Sequence, residues 1–102
     1  MLNLSSNKIL QISPFLGYYH LEHLNLGTFL NSVEFNQIKY IENLSVLSKL
    51  KELNLSYNQI GSIENVSSLK ELKSLKLSKN KIKTIENLES LENLEVLKLD
   101  YN

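Results

Sequence analysis

Few side chains in this sequence are of types that do chemistry, and their spacing narrows the choices further. His20 and His23 stand three residues apart, a spacing that can place two imidazoles on one metal. No cysteine and no carboxylate cluster completes a ligand set around them, and they fall where a strand begins, so they read as surface residues and no metal site is expected. Glu42, Glu64 and Glu86 are carboxylates of the type used in acid–base pairs, but they recur in strict register every 22 residues and mark a solvated face instead. Serine is common, yet there is no G-x-S-x-G elbow, no H-E-x-x-H and no glycine-rich phosphate loop. With only three glycines in the chain, a backbone cradle for phosphate is not expected either. No catalytic residue and no cofactor are expected: the chain does not read as an enzyme.

A lysine cluster, Lys70, Lys73, Lys76, Lys79, Lys81 and Lys83, raises the question of nucleic acid. Glu71, Glu86, Glu89, Glu92 and Glu95 lie close by in sequence, and the net charge is zero. Binding driven by counterion release needs a sustained positive surface, so nucleic acid is not the expected partner. All eleven basic residues are lysine, so the bidentate fork that arginine offers to phosphate or guanine is absent.

The elements that would position any site follow from a repeat. Leu47, Leu50, Leu53, Leu55, Asn58, Ile60, Ile63 and Val66 fall, 22 residues later, on Leu69, Leu72, Leu75, Leu77, Asn80, Ile82, Ile85 and Leu88. A further step reaches Leu91, Leu94, Leu97, Leu99 and Asn102, and Leu2, Leu4, Asn7, Ile9, Ile12 and Phe15 occupy the same columns at the other end. This pattern, LxxLxxLxLxxNxIxxIxxL, resembles the leucine-rich repeat over the whole chain. The period of 22 and the phrase I-E-N-L at Ile41–Leu44 and Ile85–Leu88, with Val66 closing the copy that starts at Ile63, are similar to an intracellular subclass. That subclass includes the leucine-rich-repeat regulatory subunit of type-one protein phosphatase, the outer-arm dynein light chain and a spliceosomal ribonucleoprotein subunit.

The resemblance implies an α/β-class, right-handed solenoid with a concave parallel β-sheet and an irregular or short helical convex side. It divides one domain, 1–102, into a partial repeat 1–17, a repeat 18–46 with a seven-residue insertion, repeats 47–68 and 69–90, and a partial repeat 91–102. The chain starts near Leu2 and Leu4 and stops at Asn102 with no polar cap, so further repeats or another subunit are expected over the ends.

Alternation across Leu53, Asn54 and Leu55 predicts a short strand with both leucines inward, stacked on its neighbours at about 4.8 Å. Beyond it the chain must turn inside the stack, where an unpaired polar group costs about 1–3 kcal/mol. An Asn amide offers both a donor and an acceptor there, so Asn7, Asn36, Asn58, Asn80 and Asn102 read as a structural ladder.

Function is then expected on the outward side of the sheet, where the columns vary. Asn54, Lys76 and Lys98 form one such column, Ser56, Ser78 and Asp100 the next, and Tyr57, Lys79 and Tyr101 a third. Aromatic and cationic side chains on a rigid face anchor protein interfaces, so Tyr57, Lys79 and Tyr101 are the expected anchors, with Lys76, Lys98 and Asp100 setting charge complementarity. Phe29, Leu30, Val33 and Phe35 in the insertion are a second possible contact element. The reading is a non-catalytic scaffold that binds another protein on its concave face, a phosphatase regulator or axonemal adaptor by resemblance; the alternative is a ribonucleoprotein assembly subunit. The N-terminus lacks a basic start and long apolar core, no stretch approaches a membrane span, and cysteine is absent, so an intracellular chain, cytoplasmic and with nucleus or cilium also open, is expected.

Overall fold

Every coil begins with a segment of alternating character, and in the computed structural model, which describes residues 1–28 and 35–102, each becomes a strand of two or three residues. The strands are β1 (Leu2–Asn3), β2 (His23–Asn25), β3 (Glu52–Asn54), β4 (Ser74–Lys76) and β5 (Val96–Lys98). They form one parallel sheet in chain order, with Leu2, Leu24, Leu53, Leu75 and Leu97 in register. Three steps between partners are 22 residues and the step from β2 to β3 is 29, so the seven extra residues do not disturb the register of the strands. Parallel neighbours joined by such crossovers take the right-handed sense.

The opposite wall contains no helix among the described residues. It is made of consecutive three-residue turns: Leu47 N–H donates to Leu44 O and Leu50 N–H to Leu47 O, each at 3.0 Å, and the same pair recurs at Val66–Leu69–Leu72 and Leu88–Leu91–Leu94. Closure every three residues returns every third side chain to one face, which is why leucine repeats at that spacing here. Ile38, Ile41, Leu44, Leu47, Leu50, Leu53 and Leu55 are thereby buried. Burial of such a side chain is worth about 1.5–3 kcal/mol, but only where a neighbouring coil covers it. Ile63, covered on both sides, is 0% exposed, whereas Ile85 in the same column is 68% exposed.

Two asparagine ladders fasten the turns. In the first, Asn58 Oδ1 accepts from Ile38 N–H at 3.0 Å, while its Nδ2 donates to Leu26 O of the coil before and Leu55 O of its own. Asn80 and Asn102 repeat this arrangement on Ile60 and Ile82 N–H and on the matching leucine carbonyls. Asn36 does so across the insertion, receiving Asn7 and Ile9 N–H and donating to Leu4 and Leu26 O. Asn7 itself is exposed, and its Nδ2 donates to Ser5 O. The second ladder lies on the turn wall: Asn43, Asn65 and Asn87 each donate Nδ2 to a carbonyl one coil back, Ile12, Ile41 and Ile63, at 2.7–2.8 Å. Every bond in both ladders joins adjacent coils or closes one, so each coil is held by its successor.

Candidate protein-interaction face

On the solvent side of the sheet the four outward columns differ in how far the fold itself uses them. In the first, His23 Nδ1 lies 3.2 Å from Glu52 Oε2. The second contains Asn25 and Asn54, and both side chains bend forward to accept the N–H two residues on, from Gly27 and Ser56 at 3.0 Å; Asn3 does the same toward Ser5. These asparagines close the turn that follows each strand. In β4 and β5 the same positions are Lys76 and Lys98, whose side chains extend from the sheet half-buried and exposed respectively.

The third column departs from expectation. Ser56 and Ser78 are 9% and 8% exposed, so they do not belong to an open surface. Here the chain passes under the neighbouring coil: a Cβ at Gly27 would meet both Asn54 Oδ1 and Ser56 O at 3.0 Å. Small side chains are therefore a packing requirement. Asp100, by contrast, is exposed, and its Oδ1 accepts from Ser78 Oγ at 2.6 Å. That hydroxyl, its own backbone N–H and the charges of Lys98 and Lys79 hold its carboxyl below the ordinary 3.8.

The fourth column carries an unusual backbone. Ser6, Tyr57, Lys79 and Tyr101 have φ of 56°, 60°, 56° and 59°, in the left-handed region that costs residues with a Cβ about 1–2 kcal/mol. Asn43, Asn65 and Asn87, the second ladder, have φ of 58°, 57° and 62°, but Asn tolerates that conformation. Tyr57, Lys79 and Tyr101 stand side by side, with Lys79 Nζ 4.0 Å from the centroid of the Tyr101 ring. Beside Tyr57 and Lys79 a shallow depression of about 440 Å³ is also lined by Phe35, Gln37 and Gln59. Phe35 is exposed at its rim; Phe29, Leu30 and Val33 lie outside the described residues. Thus the sheet face brings Tyr57, Lys79 and Tyr101 into one row, and Lys76 and Lys98 into register beside Asp100.

Among the described residues no group of three or more His, Cys, Asp or Glu side chains could hold a metal ion, and no helix is long and apolar enough to cross a membrane. The residues that sequence reasoning passed over are Asn43, Asn65 and Asn87. Their signal was the recurring I-E-N phrase itself, in which an asparagine kept at a turn marks a backbone need as surely as one kept at a strand end.

A family model described as a leucine-rich repeat matches residues 46–63. Among solved structures, an internalin from Listeria monocytogenes aligns with 79% of this chain at 33% identity and a TM-score of 0.67, and the chain spans 22% of that protein's length. No curated protein matches. With the stacked parallel sheet, these matches support a leucine-rich-repeat protein. A fold of that kind suggests a protein–protein interaction scaffold.

Proposed function

We propose that this chain is a non-catalytic scaffold whose concave sheet face binds a partner protein through Tyr57, Lys79 and Tyr101. The observation that carries the reading is the choice of residues at the left-handed positions. On the turn wall the fold obtains Asn at each of three such positions, the residue that fits. On the sheet face it holds Tyr, Lys and Tyr at the same strained φ, which folding alone disfavours. A cost of that kind persists where the side chain serves something other than folding, and a half-buried Tyr57 beside exposed Lys79 and Tyr101 serves contact. Lys76, Lys98 and Asp100 supply the charges around that row. The likeness to the phosphatase regulatory subunit and to the dynein light chain offers a phosphatase or an axonemal protein as a partner, and the cysteine-free composition fits an intracellular site of action.

The test replaces Tyr57 and Tyr101 together with Asn, which suits their backbone. The double variant should keep or raise its melting midpoint and bind the native partner at least about thirtyfold more weakly, the loss of about 2 kcal/mol expected at a central anchor. Glu42→Ala with Glu64→Ala on the turn wall should leave binding nearly intact. If the turn-wall pair abolishes binding and the tyrosine pair does not, the working surface is the other wall.

A further inference from the structure

The sheet face is not uniform in charge, and the pattern differs from that of the coil edges. Where lysines meet neighbouring coils on the edge leading into the strands, each finds a glutamate: Lys49 with Glu71 at 2.8 Å, Lys51 with Glu22 at 2.9 Å, Lys73 with Glu95 at 3.8 Å. On the sheet face the opposite occurs. Lys76 and Lys98 are direct register partners on β4 and β5, so two like charges stand on strands about 4.8 Å apart. Neither forms an ion pair among the described residues, and Ser74 and Val96, the outward residues of the preceding column, offer no charge. Like charges placed opposite each other on a sheet destabilise it. In the two preceding strands the same positions are Asn25 and Asn54, which the fold uses to close its turns.

On the strength of the sheet-face reading above, we infer that the partner presents one acidic side chain to Lys76 and Lys98, carried on a peptide segment whose neighbouring residues are neutral or basic. The geometry favours a peptide over a polyanion. The lysine pair is bracketed by Glu52 one strand away from Lys76 and by Asp100 two residues beyond Lys98, so the positive zone is about two side chains wide. A nucleic acid backbone running across the strands would meet those carboxylates, whereas a single acidic residue with neutral or basic neighbours would not. Lys76 also lines a shallow depression of about 150 Å³, shared with Asn54, Asn25, His23 and Glu52, which has room for about one side chain. The tyrosine and lysine row lies at the end of the same strands, so an acidic residue held at Lys76 and Lys98 places its neighbours against Tyr57 or Tyr101.

The probes are two capped five-residue peptides, YQEQY and its neutral counterpart YQQQY, with an oligo-U strand as the nucleic-acid arm. Each is titrated into the isotope-labelled chain while backbone amide shifts are followed. Expected is binding of YQEQY at least about tenfold tighter than YQQQY, weakening with salt, with the shifts concentrated on residues 74–79 and 96–101. Lys76→Gln with Lys98→Gln should abolish that preference, Lys76→Arg with Lys98→Arg should keep it, and Lys70→Gln with Lys83→Gln, away from the face, should leave it unchanged. Equal binding of the two peptides on the sheet face overturns the acidic preference while leaving the face in place. Shifts confined to the turn wall overturn the face assignment as well, and oligo-U binding tighter than YQEQY overturns the peptide in favour of nucleic acid.

Discussion

The two rows of left-handed residues are the same backbone problem solved in two ways. On the turn wall, Asn43, Asn65 and Asn87 meet it with the side chain that tolerates φ near 60°, and each amide also ties down a carbonyl one coil back. On the sheet face, Tyr57, Lys79 and Tyr101 meet it with side chains that gain nothing from the conformation. Stability is sufficient for the first row, and the second is spent on surface. The comparison separates residues that hold the solenoid together from residues the solenoid displays, and it can be broken by exchanging the two kinds.

The largest expected effect lies in the buried ladder. Asn58→Leu removes the partner of Ile38 N–H, which then stays unpaired inside the stack, and leaves Leu26 O and Leu55 O with only the amides of Asn36 and Asn80. At about 1–3 kcal/mol for the buried unpaired N–H, with a smaller loss at each shared carbonyl, stability should fall by about 2–4 kcal/mol, about 10 °C or more in the melting midpoint. Ser62→Ala, four residues on in the same coil, should stay within about 0.5 kcal/mol. Thermal melts of the two variants in parallel decide it, and equal midpoints would show that the amide is replaceable.

The exchange at the left-handed positions is smaller and tests the comparison directly. Asn65→Ala loses the 2.8 Å bond to Ile41 O and forces an alanine into φ of 57°, so about 1–2 kcal/mol should be lost. Asn65→Gly keeps the backbone at ease and should cost only the bond. Tyr57→Gly, at φ of 60°, should be neutral or gain up to about 1 kcal/mol, since the conformation suits glycine. A Tyr57→Gly variant that melted as early as Asn65→Ala would place Tyr57 among the structural residues and remove the main support for its role in binding.

Much of this architecture was legible in the columns, because a repeat states each requirement several times. Leucine at every third position foretold the inward row although the wall is turns and not helix, since period three is satisfied by successive turns as well as by a short helix. The Asn58 column was legible because an amide among leucines needs a reason. Other features were hidden for physical reasons. Neither Tyr nor Lys favours positive φ, so nothing in Tyr57, Lys79 or Tyr101 signalled it. Ser56 and Ser78 look like surface residues by type, and only the close approach marked by Gly27 shows that the chain dips there. Asn54 reads as a free outward residue until its side chain is seen accepting from Ser56 N–H.

The smallest effect sharpens the comparison at the edge of the displayed row, where Asp100 is both surface and structure. Its carboxyl lies below the ordinary 3.8 because Ser78 Oγ and its own N–H donate to the charged form, with Lys98 and Lys79 adding attraction. A carboxylate whose folded pKa is depressed stabilises the fold above its unfolded value, and that contribution disappears as pH falls through the folded value. The wild-type chain should therefore lose part of its stability as pH drops below 3.8, and Asp100→Asn should lose less over the same interval. Glu22, held down chiefly by its hydrogen bond with Lys51, titrates in the same direction and remains in both chains, so the difference between their melting midpoints isolates Asp100. Ser78→Ala removes the largest contributor and should shrink the acid-dependent difference without changing the charge at neutral pH. Because Asp100 is exposed, the difference should narrow as salt rises, and a gap between the two chains that is independent of both pH and salt would assign the residue's effect to packing at the turn and not to its charge.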